Sequence, residues 1–462
     1  MRSKLKAGSG LGIVAALAWT VPAAAQTAED TAADSNEIVV TAQKREERLQ
    51  DVPISITSLG GKKLDAQANG GVSEALRSVA GISITNSPQG GGTQLTIRGV
   101  AANGATLAGS STSAFYIDSV PFGLVKSAIL PDTNAYDMSR IEVLRGPQGT
   151  LYGANALNGV VRVLTNDANL DRFELKTRAG VAATEGGDQS YRGDMAVNIP
   201  LVEGKLGLRV VGGFESAGGW IDQPARGVKN ANDSRSRNVR IKLNGQPTDD
   251  FSFGLSAWIS RIDQDAPAYA NDDGNQLTTV PLPQKLNYDA FSAKLGYDFG
   301  AFQVSSATSY LKFSNLSERD YTNLAANQTL HTEIGSKIFT EELLVNSNGG
   351  GDWRWSVGGF YRDASDLLNQ TLFVLPAPIN FRDKSRSFAA FGEVTRSFMD
   401  GTLEVTGGLR YFKDRVTQIE LTPTTGDPDQ PLARRTDTFD AITPRAVITW
   451  LPSRKFTAYA SY

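Results

Sequence analysis

From Phe173 onward the chain repeats one device, short segments in which apolar and polar residues alternate strictly. Phe251, Phe253, Leu255, Ala257 and Ile259 alternate with Ser252, Gly254, Ser256, Trp258 and Ser260; Phe291, Ala293, Leu295, Tyr297 and Phe299 alternate with Ser292, Lys294, Gly296 and Asp298. Leu403, Val405, Gly407, Leu409 and Tyr411 continue the pattern. A period of two gives strands with chemically distinct faces. A soluble sandwich would show the same period, so the connections have to discriminate. Short turns (201–204, 245–250, 300–301, 348–352, 399–402, 452–455) take turns with long polar segments (215–237, 261–285, 314–336, 363–385, 413–438). That alternation belongs to an outer-membrane barrel, with tight periplasmic turns and long extracellular loops. Counting segments gives about thirteen strands, the last from Phe456 to Tyr462. A bacterial single-chain barrel has an even number, so the chain is expected to be a C-terminally truncated piece of a longer protein. The competing observation is that Tyr462 supplies a terminal aromatic residue.

The amino terminus agrees with export. Arg2, Lys4 and Lys6 precede an apolar core from Leu11 to Val21 and the triplet Ala23-Ala24-Ala25, the layout of a cleavable secretory signal over 1–25. Losing those three cations takes the formal net charge from −3 to −6, which argues against nucleic acid as a partner. No later apolar run approaches the roughly 20 residues of a spanning helix, so membrane residence requires strands. Cysteine is absent, excluding disulfides and thiolate metal sites, and His331, in an expected loop, is the only histidine. No catalytic residue, cofactor or metal ligand is assigned, and no enzyme is expected: one histidine cannot build a histidine-rich metal centre, and no nucleotide-binding fingerprint follows a strand.

The segment Asp137 to Thr165 carries the densest local information. Ile141 and Val143 flank Glu142, a turn with Gly146, Pro147, Gly149, Tyr152 and Gly153 follows, and Val161 and Val163 flank Arg162. This reads as strand, tight turn, strand. Upstream lie Glu37-Ile38-Val39-Val40-Thr41, the charged run Lys44 to Arg48, and Asp51 to Thr57; then Leu76 to Ser83, Leu95 to Val100 with Arg98 and Gly99, and Ala114 to Gly123 with Asp118. Ile38, Val39 and Val40 are strand formers in a polar tail, suited to adding to a partner's sheet edge.

From about residue 37 to 165 these segments resemble the TonB box and plug domain of TonB-dependent outer-membrane receptors; the rest resembles that family by pattern only. Ser119 and Ala156 to Gly159 depart from its usual turns. The resemblance implies a mainly β protein, a transmembrane antiparallel barrel, 22-stranded when complete, with an N-terminal α+β plug in the lumen. The expected domains are a periplasmic tail with the TonB box over 26–50, the plug over 51–168 and the partial barrel over 169–462. It also implies the outer membrane of a Gram-negative bacterium, with membrane lipid and the barrel-assembly machinery as partners. Import of a scarce nutrient, a ferric siderophore or another organic ligand such as an oligosaccharide, would be driven through TonB with ExbB and ExbD. A passive porin is the rival reading. Arg98 and Arg145 are expected to meet acidic residues of the barrel wall. Plug loops with Asn86, Gln89, Gly91, Asn103, Gly109 and Ser111 are expected to face the small extracellular ligand. Placing bulky charged residues at Gly91 or Gly109 should therefore weaken ligand binding, and unchanged affinity in a binding assay would remove these loops from the site.

Overall fold

A computed structural model describes residues 38–66, 70–86, 93–100, 111–125, 129–153, 155–323, 326, 328–348, 351–372, 378–423, 427, 429–453 and 456–462. A tail hairpin, β1 (Val39–Val40) and β2 (Glu47–Arg48), leads into the plug. The plug contains β3 (Ser55–Gly60), α1 (Gly61–Ala66), α2 (Val72–Arg77), β4 (Ile82–Asn86), β5 (Thr93–Ile97), β6 (Ser113–Ile117), β7 (Val120–Pro121), β8 (Met138–Arg145), α3 (Gly149–Tyr152) and β9 (Gly159–Thr165). Its main sheet has the order β3-β8-β9-β6-β7, with β6 and β9 parallel and the other neighbours antiparallel.

The alternation in β8 and β9 behaves as expected: Ile141 pairs with Val163 and Val143 with Val161, all fully buried. Their connection is not a tight turn. It spans residues 146–158 and contains α3, which buries Leu151 and Tyr152. Chain reversal at its far end requires Gly159, where φ is +155° and a Cβ would overlap the Leu144 carbonyl oxygen. The polar face of this sheet is covered as well, and Glu142 is fully buried between Arg140 and Arg162.

The wall follows as thirteen strands: β10 (Glu174–Ala183), β11 (Gln189–Val202), β12 (Leu206–Ala217), β13 (Ser234–Gly245), β14 (Phe251–Gln264), β15 (Gln284–Asp298), β16 (Phe302–Asp320), β17 (Thr329–Ser347), β18 (Trp353–Thr371), β19 (Ile379–Phe398), β20 (Leu403–Glu420), β21 (Arg434–Ser453) and β22 (Phe456–Ser461). They form one sheet in chain order, each strand antiparallel to the next. One face turns inward along the whole sheet, because the plug or tail touches β10 through Lys176, β15 through Tyr288 and β22 through Thr457. The longest strands have 19 or 20 residues, about twice the 9–11 needed to cross a bilayer. They therefore run on into segments expected as loops. His331, expected in a loop, lies in β17 opposite Glu318, with its Nδ1 2.6 Å from Glu318 Oε1.

Plug and wall share an apolar core in which Ile117, Val120, Phe122 and Val163 meet Trp258, Tyr288, Leu311, Phe313 and Ile338. Phe122 packs edge-on against Tyr288 at 5.3 Å. Around this core most charged contacts run from wall cations to plug acceptors. Arg209 grips Asp137 with two hydrogen bonds of 2.7 and 2.8 Å. Arg240 donates to the Tyr136 carbonyl at 2.6 Å, and Lys242 lies 3.1 Å from Asp118. Arg362 and Arg410 donate to the carbonyls of Gly123 and Thr150. The expected pairing of Arg98 and Arg145 with wall carboxylates does not occur among the described residues. Arg98 is an exposed turn residue with φ of +52°, and Arg145 donates inside the plug to Ala80 O at 3.1 Å and Thr57 Oγ1 at 2.8 Å. Arg145 ends the interior strand β8 between β3 and β9, where plug acceptors lie within its reach.

Asp137 is 1% exposed. Burial acts to raise its pKa, but the hydrogen bonds and charge of Arg209 outweigh that and hold the carboxyl below its ordinary value. A depressed carboxyl stabilises the fold above its unfolded pKa, and the contribution disappears as pH falls through the folded value. Thermal unfolding should thus be insensitive to this pair from neutral pH down to about 5 and lose its contribution below about pH 4. Arg209→Met, which removes both charged hydrogen bonds to the buried carboxylate, should cost about 3 kcal/mol. Arg209→Met with Asp137→Asn should recover much of that and show a shallower acid limb, since asparagine tolerates the left-handed φ of +56° at this position.

Candidate functional site

The tail lies against the polar face of the plug sheet. Val39 pairs with Arg48 and Val40 with Glu47, and the Leu49 amide donates to Ile38 O at 2.8 Å. Antiparallel ladders alternate bonded and non-bonded pairs, so the main-chain groups of Val39 point away from β2. Ile38 and Val39 are 47% and 43% exposed, whereas Val40 is fully buried with Ala42, Leu144, Leu151, Tyr152 and Val160. One side of β1 is anchored and the other presents a free edge.

Thr41 is the best-held residue of the tail. Its amide donates to Glu142 Oε1 at 3.0 Å. Its carbonyl and hydroxyl accept from Arg162 at 2.6 and 2.7 Å, and its hydroxyl accepts from Arg140 at 3.3 Å. Glu142 in turn accepts from Arg140 at 2.7 Å and from Arg162 at 2.8 Å. A carboxylate taken wholly out of water needs such donors, and charge-assisted bonds of this kind are the stronger ones. The tail therefore completes the solvation of a buried charge. Beyond Thr41, the Tyr152 hydroxyl donates to Ala42 O at 2.8 Å, and burial pushes this phenol's pKa up to about 12, which keeps it a donor.

Lys44 reaches the wall and pairs with Glu342, near the rings of Tyr152 and Phe391 at 5.3 and 5.2 Å. Burial pulls its amine below the ordinary value even though Glu342 acts in the other direction. Desolvation, helped by the nearby Arg162 and Arg410, thus outweighs the attraction of Glu342 in setting its protonation. A cavity of about 580 Å³ adjoins the clasp on the plug–wall seam, lined by Tyr116, Tyr152, Arg362, Arg410, Asp414 and Phe439. Its lining sets Arg362 and Arg410 against Asp414 and Asp437 among aromatic rings, so it carries no net charge.

Of the residues singled out in the sequence, Ile38 to Thr41 and Tyr152 meet in this clasp. Asp118 caps β9 by accepting from Thr165, and Gly153, at φ +87°, has Arg410 Nη2 3.0 Å from the place of a Cβ. Gly99 and Gly146 are turn residues, and Pro147 and Gly149 open α3. Asn86 ends β4 opposite Thr93, and Ser111 bonds to Ser113 within its own loop. Glu37, Gln89, Gly91, Asn103 and Gly109 lie outside the described residues. Arg140, Glu142 and Arg162 do not stand out in the sequence as functional groups, although a signal for two of them is there. Glu142 and Arg162 occupy the polar positions of adjacent strands and stand opposite each other in register.

Residues 48–160 match the family model of the TonB-dependent receptor plug domain, and residues 225–462 match that of the TonB-dependent receptor-like β-barrel. The chain is 27% identical over 406 residues to the pesticin receptor of Yersinia pestis, covering 85% of this chain and 57% of that protein. It is 29% identical over 263 residues to the iron-regulated outer membrane virulence protein of Vibrio cholerae, covering 55% of this chain and 38% of that one. Among solved structures it superposes on the ferric yersiniabactin uptake receptor of Yersinia pestis with TM-score 0.73 and 19% identity, over 88% of this chain and 64% of that one. The siderophore receptor PiuA of Acinetobacter baumannii gives TM-score 0.70 at 16% identity, over 90% and 65%. The chain thus spans 38% to 65% of these proteins.

The clasp predicts its own release. Glu142→Gln keeps the shape but removes the charge that holds Arg140, Arg162 and Thr41, a change of about 1.5–3 kcal/mol per charged hydrogen bond. Because the chain has no cysteine, a spin label on Ile38→Cys reports the tail alone. Its spectrum should be immobilised in the parent and become mobile once Glu142→Gln is added; equal spectra would mean that the charge does not hold the tail.

Proposed function

The chain belongs to the family of TonB-dependent outer-membrane receptors, and from that footing we propose that it is the plug and first part of the barrel of a receptor that imports a scarce nutrient. The partner TonB, energised with ExbB and ExbD, pulls on the segment 37–41. The observation that supports this reading is the split character of β1, with Val40 and Thr41 anchored on the plug and Val39 exposed. An incoming strand adds along the free edge of β1. Tension then passes through Thr41 to Glu142 and Arg162, and so into β8 and β9 of the plug sheet. The work comes from the proton gradient through the partner, and no catalytic step is assigned to this chain.

The ligand we propose is a ferric chelate of the siderophore class. The iron regulation named in the Vibrio cholerae relative supports it. The vitamin B12 transporter of Vibrio vulnificus, 23% identical over 387 residues, makes cobalamin the comparison ligand.

Val39→Pro tests the mechanism, since it removes a main-chain donor at a position whose N–H the tail hairpin does not use. In cells expressing the receptor, energy-dependent uptake of the ferric chelate should fall to background while surface binding stays within about twofold, a difference below 1 kcal/mol. Uptake that survives both the substitution and a proton uncoupler would instead establish a passive pore.

A further inference from the structure

The seam cavity is neutral as a whole, but its charges are layered along the wall. Arg362 shares a level with Asp414 through the register Arg362–Ser387–Asp414. Asp437, opposite Val416, stands one inward position nearer the long connections. Arg410 lies four residues from Asp414 on β20, about 13 Å of strand toward the short turns. The inward levels on either side of Arg410 contain Glu342, level with Phe412, and Glu393, level with Gly408. Both carboxylates are engaged, Glu342 with Lys44 and Glu393 with Arg445. Among the described residues Arg410 forms no ion pair and a single hydrogen bond, from Nη1 to Thr150 O at 3.3 Å.

That leaves a charge out of water with few acceptors. Arg410 is 4% exposed, and its Nε has no hydrogen-bond partner. Its guanidinium otherwise rests on the Phe391 ring at 5.2 Å and on the backbone of Gly153. A guanidinium offers five N–H donors in a planar fork, and burial is unfavourable until fixed acceptors receive them. The group lines a cavity of about 580 Å³, and the next level of that cavity is aromatic. Phe360 and Phe412 stand there on the wall, with Tyr116 and Tyr152 edge to face at 5.5 Å on the plug side.

We propose that the Arg410 end of the seam cavity is a binding site for an aromatic acid. The carboxylate accepts from the guanidinium in the two-point geometry that Arg prefers, and the ring lies among Tyr116, Phe360 and Phe412. An inorganic oxyanion would answer the charge but leave the rings and most of the cavity unused. A neutral aromatic would fill the rings and leave Arg410 unpaired. The assignment rests on Arg410 and its surroundings and is independent of the ferric chelate proposed as cargo.

The test uses the full-length protein in detergent and radiolabelled benzoate in equilibrium dialysis, with benzamide and sulfate as competitors. Benzamide keeps the ring without the charge, and sulfate keeps the charge without the ring. The parent should retain benzoate, and each competitor should be about tenfold weaker or more, as the loss of one charged hydrogen bond implies. Arg410→Met should abolish retention. Without benzoate it should melt no lower than the parent, because an apolar side chain replaces a poorly compensated buried charge. Arg410→Lys should keep part of the retention, and Phe412→Leu should weaken it severalfold. Undiminished binding by the folded Arg410→Met variant would overturn the proposal. So would a parent that ignores millimolar benzoate or binds benzamide equally well, comparisons that need no variant to fold. Sulfate competing as well as benzoate itself would overturn it in favour of a small inorganic oxyanion.

Discussion

Every second residue of the wall points into a lumen from which the plug displaces water, and the polar ones must find partners there. Most other features follow from that constraint. Arg209, Arg240 and Lys242 on β12 and β13 direct their donors to Asp137, Asp118 and the carbonyls between β7 and β8. Trp258, Tyr288 and Phe313 on β14 to β16 instead supply the apolar seat for Phe122 and Val120. A cation left without its acceptor in such a place costs several kcal/mol, so plug and wall specify each other's position.

Two kinds of attachment coexist in this lumen, and they differ in the group that would be stranded on release. Separation of Asp137 from Arg209 would take away the buried carboxylate's two charged hydrogen bonds and leave it one from Asn166, with Lys176 and Arg240 no nearer than 3.9 Å. Departure of Thr41 leaves Glu142 still bridged by Arg140 and Arg162, so the plug keeps its charge balance while the tail lets go. The tail is thus the more readily detached part, as a handle pulled from outside should be.

The outward face answers to a different solvent. Apolar residues such as Leu343, Val357 and Val394 meet hydrocarbon. Inside, most cations of the wall are satisfied by the plug. The same alternation in one strand, Lys337 outward and Ile338 inward, serves both environments.

The sequence by itself determined the strand period, the thirteen wall segments, the order of short and long connections, and the plug segments around Asp137 to Thr165, because each is a local pattern of polarity and turn residues. It overstated the loops and put His331 in one, since polar residues beyond the membrane look alike in a strand and in a loop. It read Arg98 and Arg145 as partners of the wall, when the wall's own arginines reach inward instead. Only the tertiary structure decided that Thr41 rests on Glu142, 101 residues away, and that Arg410 stands level with Phe391. Those facts depend on register and on which polar face meets which, and a period of two carries no information about either.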